Sequence, residues 1–154
     1  MKEVINIGFL GFGTVGSGAV KILQEHSKEI SKRLSPKLKI KTIASPNIAN
    51  RDTSWVKGNV SFTTDATQVI NDPDIDIVVE VMGGREPANS YIRQAIMQGK
   101  SVVTANKLLL ASDGPELAEL AQNKKVSLAI EASVAGGIPI LNAIREGIAA
   151  EKIV

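Results

Sequence analysis

Short runs of β-branched and apolar residues alternate with longer segments of helical periodicity along the chain. Strands are predicted at residues 5–10, 38–44, 60–63, 75–81, 101–103 and 126–130. The run at 75–81 is rich in β-branched residues, which is typical of a central strand covered on both faces. The alternation predicts one α/β domain with a doubly wound, mainly parallel sheet and helices on both faces.

The first helix is predicted to begin near Thr14 and to end before Pro36, because proline cannot extend it. Its helical spacing comes from apolar residues, namely Val15, Ala19, Ile22, Leu23, Ile30 and Leu34. Asp65 is expected to cap a short helix further along.

Prolines mark the starts of three later helices. Pro87 and Pro115 are placed in the first turns of helices over 87–98 and 115–123, where a missing N–H removes no hydrogen bond. Pro139 is expected to open a last helix. The apolar face of that helix carries Ile140, Ile144 and Ile148.

Composition narrows the classes of function. The chain has 154 residues, 44% hydrophobic and 22% charged, which is ordinary usage for one globular domain. A net charge of +2 with scattered basic residues argues against nucleic acid and favours a small-molecule partner. The sequence has no cysteine for thiol catalysis and no apolar run long enough to span a membrane. Its start does not resemble a signal peptide, so a cytoplasmic location is expected.

The clearest chemical motif is G-x-G-x-x-G at residues 11–16, between the first predicted strand and the first helix. Gly11 permits a tight turn, Gly13 lets the backbone approach a pyrophosphate, and Gly16 lets the helix pack closely on the strand. The helix then directs N–H groups and a positive dipole end at phosphate. A glycine-rich turn without a ligand is the alternative, but the strand–helix context favours a Rossmann-type dinucleotide site.

The end of the second strand bears on the choice between NAD and NADP. An NAD site commonly has Asp or Glu there to bind the ribose hydroxyls, whereas this chain has Ser45 and Pro46. Arg51 in the following loop could reach a 2′-phosphate, which favours NADP. An ordinary solvated arginine explains Arg51 equally well.

Two further segments follow predicted strands, at the carboxyl ends where open α/β sheets bind ligands. Gly83 and Gly84 would let the backbone pass close to the ribose and nicotinamide. Lys107 would bring a positive charge near the transferred hydride. Its neighbours Thr104 and Asn106 favour that interpretation over a plain surface lysine.

A last glycine-rich segment at 131–139 follows the final strand and begins with Glu131. One carboxylate with several loop carbonyls can hold a hard cation, although a plain turn explains these residues as well. His26 is expected to be exposed late in the first helix. Trp55 is expected to pack in the core or against a loop.

Together these motifs resemble homoserine dehydrogenase, the NAD(P)-dependent enzyme that interconverts aspartate 4-semialdehyde and homoserine. The resemblance rests on GFGTVGSG at 11–18, VVEVMGG at 78–84, GKSVVTANKLLLA at 99–111 and EASVAGGIPI at 131–140, in that order. This chain departs from the family at Ser45 and Pro46, where members commonly carry a basic residue followed by Asp.

The resemblance implies a set of site residues. The residues that would line the cofactor at the glycine motif are Phe12, Thr14 and Val15. Those near its ribose and nicotinamide are Gly83, Thr104 and Lys107, and Lys107 would also orient the substrate. A structural sodium ion is implied as well, held by oxygens of Glu131, Val134, Gly136 and Ile138.

The resemblance further implies that a second lysine, the acidic residues for the homoserine amino group and the dimer interface lie beyond residue 154. The 154 residues are therefore expected to be a truncated dinucleotide-binding domain that folds, can bind cofactor and does not turn over. It is expected to be largely monomeric, or to associate only through surfaces that the full protein would cover. The whole protein is expected to be a homodimer. Two alternatives stay open, an oxidoreductase of a neighbouring family and a non-catalytic nucleotide sensor on the same fold.

Overall fold

The computed structural model describes residues 2–33 and 36–147 of the chain. The strands are β1 (Val4–Leu10), β2 (Lys37–Ala44), β3 (Ser61–Thr63), β4 (Ile77–Glu80), β5 (Ser101–Thr104) and β6 (Leu128–Ala129). The helices are α1 (Thr14–Glu25), α2 (Ser27–Arg33), α3 (Thr67–Ile70), α4 (Ala88–Met97), α5 (Lys107–Lys124) and α6 (Ile140–Gly147). None of the described helices is both long and apolar enough to cross a membrane.

The strands form one sheet in the order β3-β2-β1-β4-β5-β6, and each neighbouring pair is parallel. The chain moves outward from β1 to β3 and then returns to place β4 on the other side of β1. This order is that of a Rossmann sheet, whose reversal between β1 and β4 opens a crevice for a dinucleotide. The predicted fold class is confirmed.

Apolar layers cover both faces of the sheet. Phe9 and Leu10 are each 0% exposed although adjacent strand residues point to opposite faces. Leu10 belongs to a cluster with residues of α3, α4 and α5, whereas Phe9 belongs to a cluster with Val20 of α1 and Ile48 of the loop after β2. Burial on both faces explains why the central strands are continuous apolar runs.

The first helix differs from its prediction, because it breaks at His26 into α1 and α2. Val15 and Ile22 are each 58% exposed, so the predicted apolar face does not run through both of them. None of the residues of α2 whose burial is described is buried, so packing gives little reason for a straight continuation. His26 is exposed, as expected. Leu34 lies outside the described residues.

The helix predicted to begin at Pro115 is wrong, because α5 begins at Lys107 and contains Pro115. The start is set by Asn106, whose side chain accepts a hydrogen bond from the Leu109 N–H at 3.2 Å. Leu109 and Leu117 are both 0% exposed. Burial on either side of the proline therefore outweighs the helix hydrogen bond that Pro115 cannot make.

The other boundaries shift by small amounts. β4 and β6 are shorter than the strands predicted at 75–81 and 126–130. The N-cap position of α3 is Ala66 rather than the predicted Asp65, although Asp65 Oδ1, one residue earlier, accepts from the Thr67 N–H at 2.8 Å. Pro87 and Pro139 lie one residue before α4 and α6. Ile148, predicted on the apolar face of the last helix, lies outside the described residues.

Candidate dinucleotide-binding site

Three strands end together at the carboxyl edge of the sheet. Leu10 of β1 is in register with Glu80 of β4, which is in register with Thr104 of β5. The segments that follow are the glycine loop (residues 11–16), the 81–84 loop and the start of α5. Each carries residues predicted for the site, so the fold brings them to one edge, as parallel strands require.

The three glycines of the motif meet different demands. Gly11 has φ +108°, and a Cβ there would lie 2.8 Å from the Val81 carbonyl oxygen. A Cβ at Gly16 would lie 2.3 Å from the Gly11 carbonyl oxygen, so the close helix–strand packing requires glycine. A Cβ at Gly13 would meet nothing within 4 Å. Backbone packing therefore requires glycine at positions 11 and 16. At Gly13 the space beside the start of α1 is open, and we call this space the cradle.

A cleft with a volume of about 360 Å³ lies beside the glycine loop. Its lining consists of Phe12, Gly13, Thr14, Ser17, Arg51, Asp52 and Trp55. Arg51 and Thr14 thus line the same cleft. Ser45 is 8% exposed at the end of β2 and is not part of this lining, so its part in cofactor binding stays a prediction.

The far wall of the cleft is the segment from Arg51 to Trp55, called here the 51–55 loop. The Trp55 ring stacks on Phe12 with centroids 5.9 Å apart and an interplanar angle of 17°. The Asp52 carboxylate accepts from the Ser54 hydroxyl at 2.6 Å and from the Ser54 N–H at 3.0 Å. These bonds hold the pKa of Asp52 below its usual value, so a negative charge lies beside Arg51.

Sequence reasoning did not assign Asp52, Ser17 or Trp55 to the site. The sequence did offer a signal for Ser17, because it follows the glycine motif directly. In the structure its hydroxyl donates to the Gly13 carbonyl at 2.8 Å. Asp52 and Trp55 gave no such signal, because they reach the glycine loop only after β2 has paired with β1.

The buried Glu80 organises the 81–84 loop. Its side chain is 0% exposed, and Oε1 accepts from the Met82 N–H at 2.8 Å and the Gly83 N–H at 3.4 Å. Oε2 accepts from the Thr104 hydroxyl at 2.6 Å. Gly83 and Gly84 both have φ +76°, which strongly favours glycine. Thr104 is itself 0% exposed, so the structure gives it a positioning role through Glu80.

Asn106 joins the 81–84 loop to α5. Its side-chain amide donates to the Gly84 carbonyl at 2.6 Å, while its oxygen caps the helix. Lys107 is the first residue of α5 and is exposed at the same edge of the sheet. Lys107 is thus exposed to solvent. Its neighbour Asn106 is only 5% exposed and connects the 81–84 loop to α5 through these two hydrogen bonds.

A charge pair that the sequence did not indicate fixes the next segment to α5. Arg85 Nε and Nη2 donate to the two Asp113 carboxylate oxygens, each at 2.8 Å. Asp113 is 5% exposed, and the bonds from Arg85 hold its pKa below the usual value. The pair therefore anchors the end of the 81–84 loop.

The predicted cation ligands lie in the turn after β6. Glu131 Oε1 accepts from the Leu141 N–H at the start of α6 at 3.0 Å. The Ser133 hydroxyl donates to the Thr104 carbonyl at 2.8 Å, which ties this turn to β5. Within the described part of the chain, no three His, Cys, Asp or Glu side chains group around a common point. A cation here would depend on one carboxylate and backbone oxygens.

Comparison with known proteins identifies relatives of this domain. Residues 11–131 match the family model described as homoserine dehydrogenase, NAD binding domain. The chain is 42% identical over 153 residues to a homoserine dehydrogenase of Neisseria gonorrhoeae, covering 99% of this chain and 34% of that protein. The chain thus spans about a third of the length of the curated relatives it matches.

Solved structures agree with this match. A homoserine dehydrogenase from Thiobacillus denitrificans superposes with a TM-score of 0.88 at 44% identity, covering 96% of this chain and 34% of that one. A hyperthermophilic archaeal homoserine dehydrogenase in complex with NADPH superposes with a TM-score of 0.75 at 25% identity, covering 93% of this chain and 48% of that one.

Proposed function

This chain belongs to the homoserine dehydrogenase NAD-binding domain family, and on that premise we propose that it binds NAD(P) with the pyrophosphate over the glycine loop. The observation that carries the proposal is Gly13. A Cβ added at Gly13 would meet no atom within 4 Å, whereas a Cβ at Gly11 or Gly16 would run into backbone atoms. An open cradle at a helix N-terminus fits a pyrophosphate, because N–H groups there need acceptors.

The experiment compares three proteins by calorimetric titration with NADPH. In Gly13→Val the new side chain would enter the cradle, where its Cβ meets no atom within 4 Å, so binding should be lost while the unfolding midpoint is retained. The control is Gly18→Ala in α1, where a Cβ likewise meets nothing within 4 Å. It should bind as the wild type does. Unchanged affinity in a folded Gly13→Val protein would refute the placement.

For the whole enzyme we propose the reaction of its relatives, the interconversion of aspartate 4-semialdehyde and homoserine. The nicotinamide cofactor, when bound, supplies the hydride for reduction of the aldehyde. Lys107 is exposed at the edge where the 81–84 loop would face the nicotinamide, and its ammonium can donate a hydrogen bond to the developing alkoxide. Glu80 and Asn106 shape the backbone around that position.

On its own, the 154-residue chain is proposed to bind cofactor without turnover and to be monomeric. Carbonyl reduction needs a held hydride donor, a group for the alkoxide and a proton source. The candidate site provides the first and, in Lys107, one candidate for the second. NADPH absorbance should stay constant with aspartate semialdehyde present, and sustained turnover would show that these residues suffice. Binding with no turnover by a longer protein would instead favour a nucleotide sensor.

We also propose that NADP binds at least as well as NAD. Arg51 lines the cleft beside Thr14, where its guanidinium can pair with a 2′-phosphate. Asp52 in the same lining opposes this preference, because its lowered pKa keeps it charged. Clearly tighter NAD binding, or unchanged NADP affinity in Arg51→Ala, would contradict the proposal.

A sodium ion in the turn after β6 is proposed as a structural element. The ligands are oxygens of Glu131, Val134, Gly136 and Ile138. Ala135 and Gly136 have φ +55° and +61°, a left-handed turn that redirects successive carbonyl groups, and the bond to Leu141 uses one of the two Glu131 oxygens. Thermal unfolding in sodium and in a tetraalkylammonium salt tests this, since equal midpoints would argue against the ion.

A further inference from the structure

The contact between the glycine loop and the 51–55 loop depends on one side chain. Trp55 stacks on Phe12, which is 2% exposed and held in the core cluster next to α1. Trp55 is the single tryptophan of the sequence. Since Phe12 lies between Gly11 and Gly13, the stack fixes the 51–55 loop directly against the proposed pyrophosphate position.

The same side chain also holds the backbone next to Arg51. Trp55 Nε1–H donates to the Asp52 carbonyl oxygen at 2.9 Å. The turn is closed from the other side by Ser54, which donates twice to the Asp52 carboxylate. Asp52, the residue after Arg51, is therefore held by three hydrogen bonds, and Trp55, which makes one of them, is itself held by the stack on Phe12, although Arg51 is exposed.

A guanidinium binds a phosphate more tightly when its geometry is already fixed, because an unrestrained arginine loses side-chain freedom on binding. Support from neighbouring residues determines how precisely such a group is placed. We propose that Trp55 is a positioning residue for Arg51, and that through it the chain distinguishes a 2′-phosphorylated ribose from a 2′-hydroxyl ribose. This inference rests on the proposed dinucleotide function.

The decisive variant is Trp55→Phe, which keeps an aromatic ring for the stack and removes the N–H donor. Affinity for NADPH is expected to fall about five- to tenfold, the loss that accompanies a weakened contact to a charged group. Affinity for NADH should change less than about twofold, because Arg51 has no 2′-phosphate to contact. Circular dichroism and urea denaturation establish that the variant is folded.

Coupling to Arg51 separates positioning from general packing. In the Arg51→Ala background, Trp55→Phe should leave the ratio of NADPH to NADH affinity unchanged, because its effect passes through the missing side chain. Phe62→Leu is the matched control. Phe62 also contacts Phe12, edge to face with centroids 6.4 Å apart, but lies on β3 outside the 51–55 loop. Its ratio should equal that of the wild type.

Three results would overturn the inference. Equal losses of NADPH and NADH affinity in Trp55→Phe would mean that Trp55 supports the cleft without selecting the ribose. An undiminished effect in the Arg51→Ala background would mean that it does not act through Arg51. Absence of binding of either dinucleotide by the wild type would overturn the proposed function and this inference together, an outcome distinct from the first two.

Discussion

Replacing Glu80 tests whether its buried carboxylate holds the 81–84 loop. In Glu80→Ala, the Met82 N–H and the Thr104 hydroxyl lose acceptors that now lie at 2.8 and 2.6 Å. A buried donor left without a partner costs about 1–3 kcal/mol, and the vacated volume adds to that. The expected loss is about 3–5 kcal/mol of unfolding free energy, a large share of the roughly 5–15 kcal/mol typical of a domain.

Glu80→Gln should be much milder. The amide oxygen of the glutamine can still accept from the Met82 N–H. Its NH₂ group takes the place of Oε2 and is a donor, so it cannot accept the hydrogen bond from the Thr104 hydroxyl. The Thr104 hydroxyl oxygen already accepts from the Asn106 N–H at 3.1 Å, so the hydroxyl proton is the group left without a partner. One unsatisfied hydroxyl corresponds to a loss of about 1 kcal/mol.

Urea denaturation followed by Trp55 fluorescence measures both variants. The control is Glu119→Ala on the exposed face of α5, which should stay within about 0.5 kcal/mol of the wild type. A Glu80→Ala protein as stable as the control would refute the assigned network. Equal losses in Glu80→Gln and Glu80→Ala would show that the hydrogen-bond pattern is not what stabilises the loop.

Two further predictions concern stability. Arg85 lowers the pKa of Asp113 in the folded protein, so the ion pair stabilises the fold at any pH above the unfolded-state Asp pKa of about 4. As the pH falls through the lower pKa of folded Asp113, the carboxylate is protonated and that stabilisation is lost. The difference in unfolding free energy between wild type and Arg85→Met should therefore shrink below about pH 4, and a constant difference would contradict the assignment. Gly16→Ala should lower the unfolding free energy by about 3 kcal/mol, because its Cβ would lie 2.3 Å from the Gly11 carbonyl oxygen. Gly18→Ala should raise the unfolding free energy by about 0.5–1 kcal/mol, because alanine stabilises a helix and its Cβ meets no atom within 4 Å. Unfolding midpoints measure both changes.

Local pattern was enough to predict the sheet and the glycine loop. The strand runs and the motif at 11–16 both depend on neighbouring residues in the chain, and the structure places them as expected. Pro115 shows where a local rule fails. Its preference for a first turn was outweighed by the Asn106 cap and by the buried Leu117, which are not visible from the proline alone.

Other parts of the site depend on contacts between distant residues. Glu80 is the single charged residue of the otherwise apolar strand β4, and nothing nearby in the chain indicates its role. The role follows from the pairing of β4 with β5, which brings Thr104 beside Glu80. Trp55 was expected to pack, which it does, but its place in the cleft depends on the path of the chain after β2. Sequence periodicity carries no information about such pairings.

The most direct test of the central claim uses Trp55 as a built-in probe, because it is the single tryptophan and lines the cleft beside Gly13. Titration with NADP⁺ should change its fluorescence in a saturable manner with one site per chain. Gly13→Val should abolish the change, and Gly18→Ala should retain it. Calorimetric binding without any change in Trp55 emission, or an unaltered titration in folded Gly13→Val, would contradict the claim that the dinucleotide lies over the glycine loop.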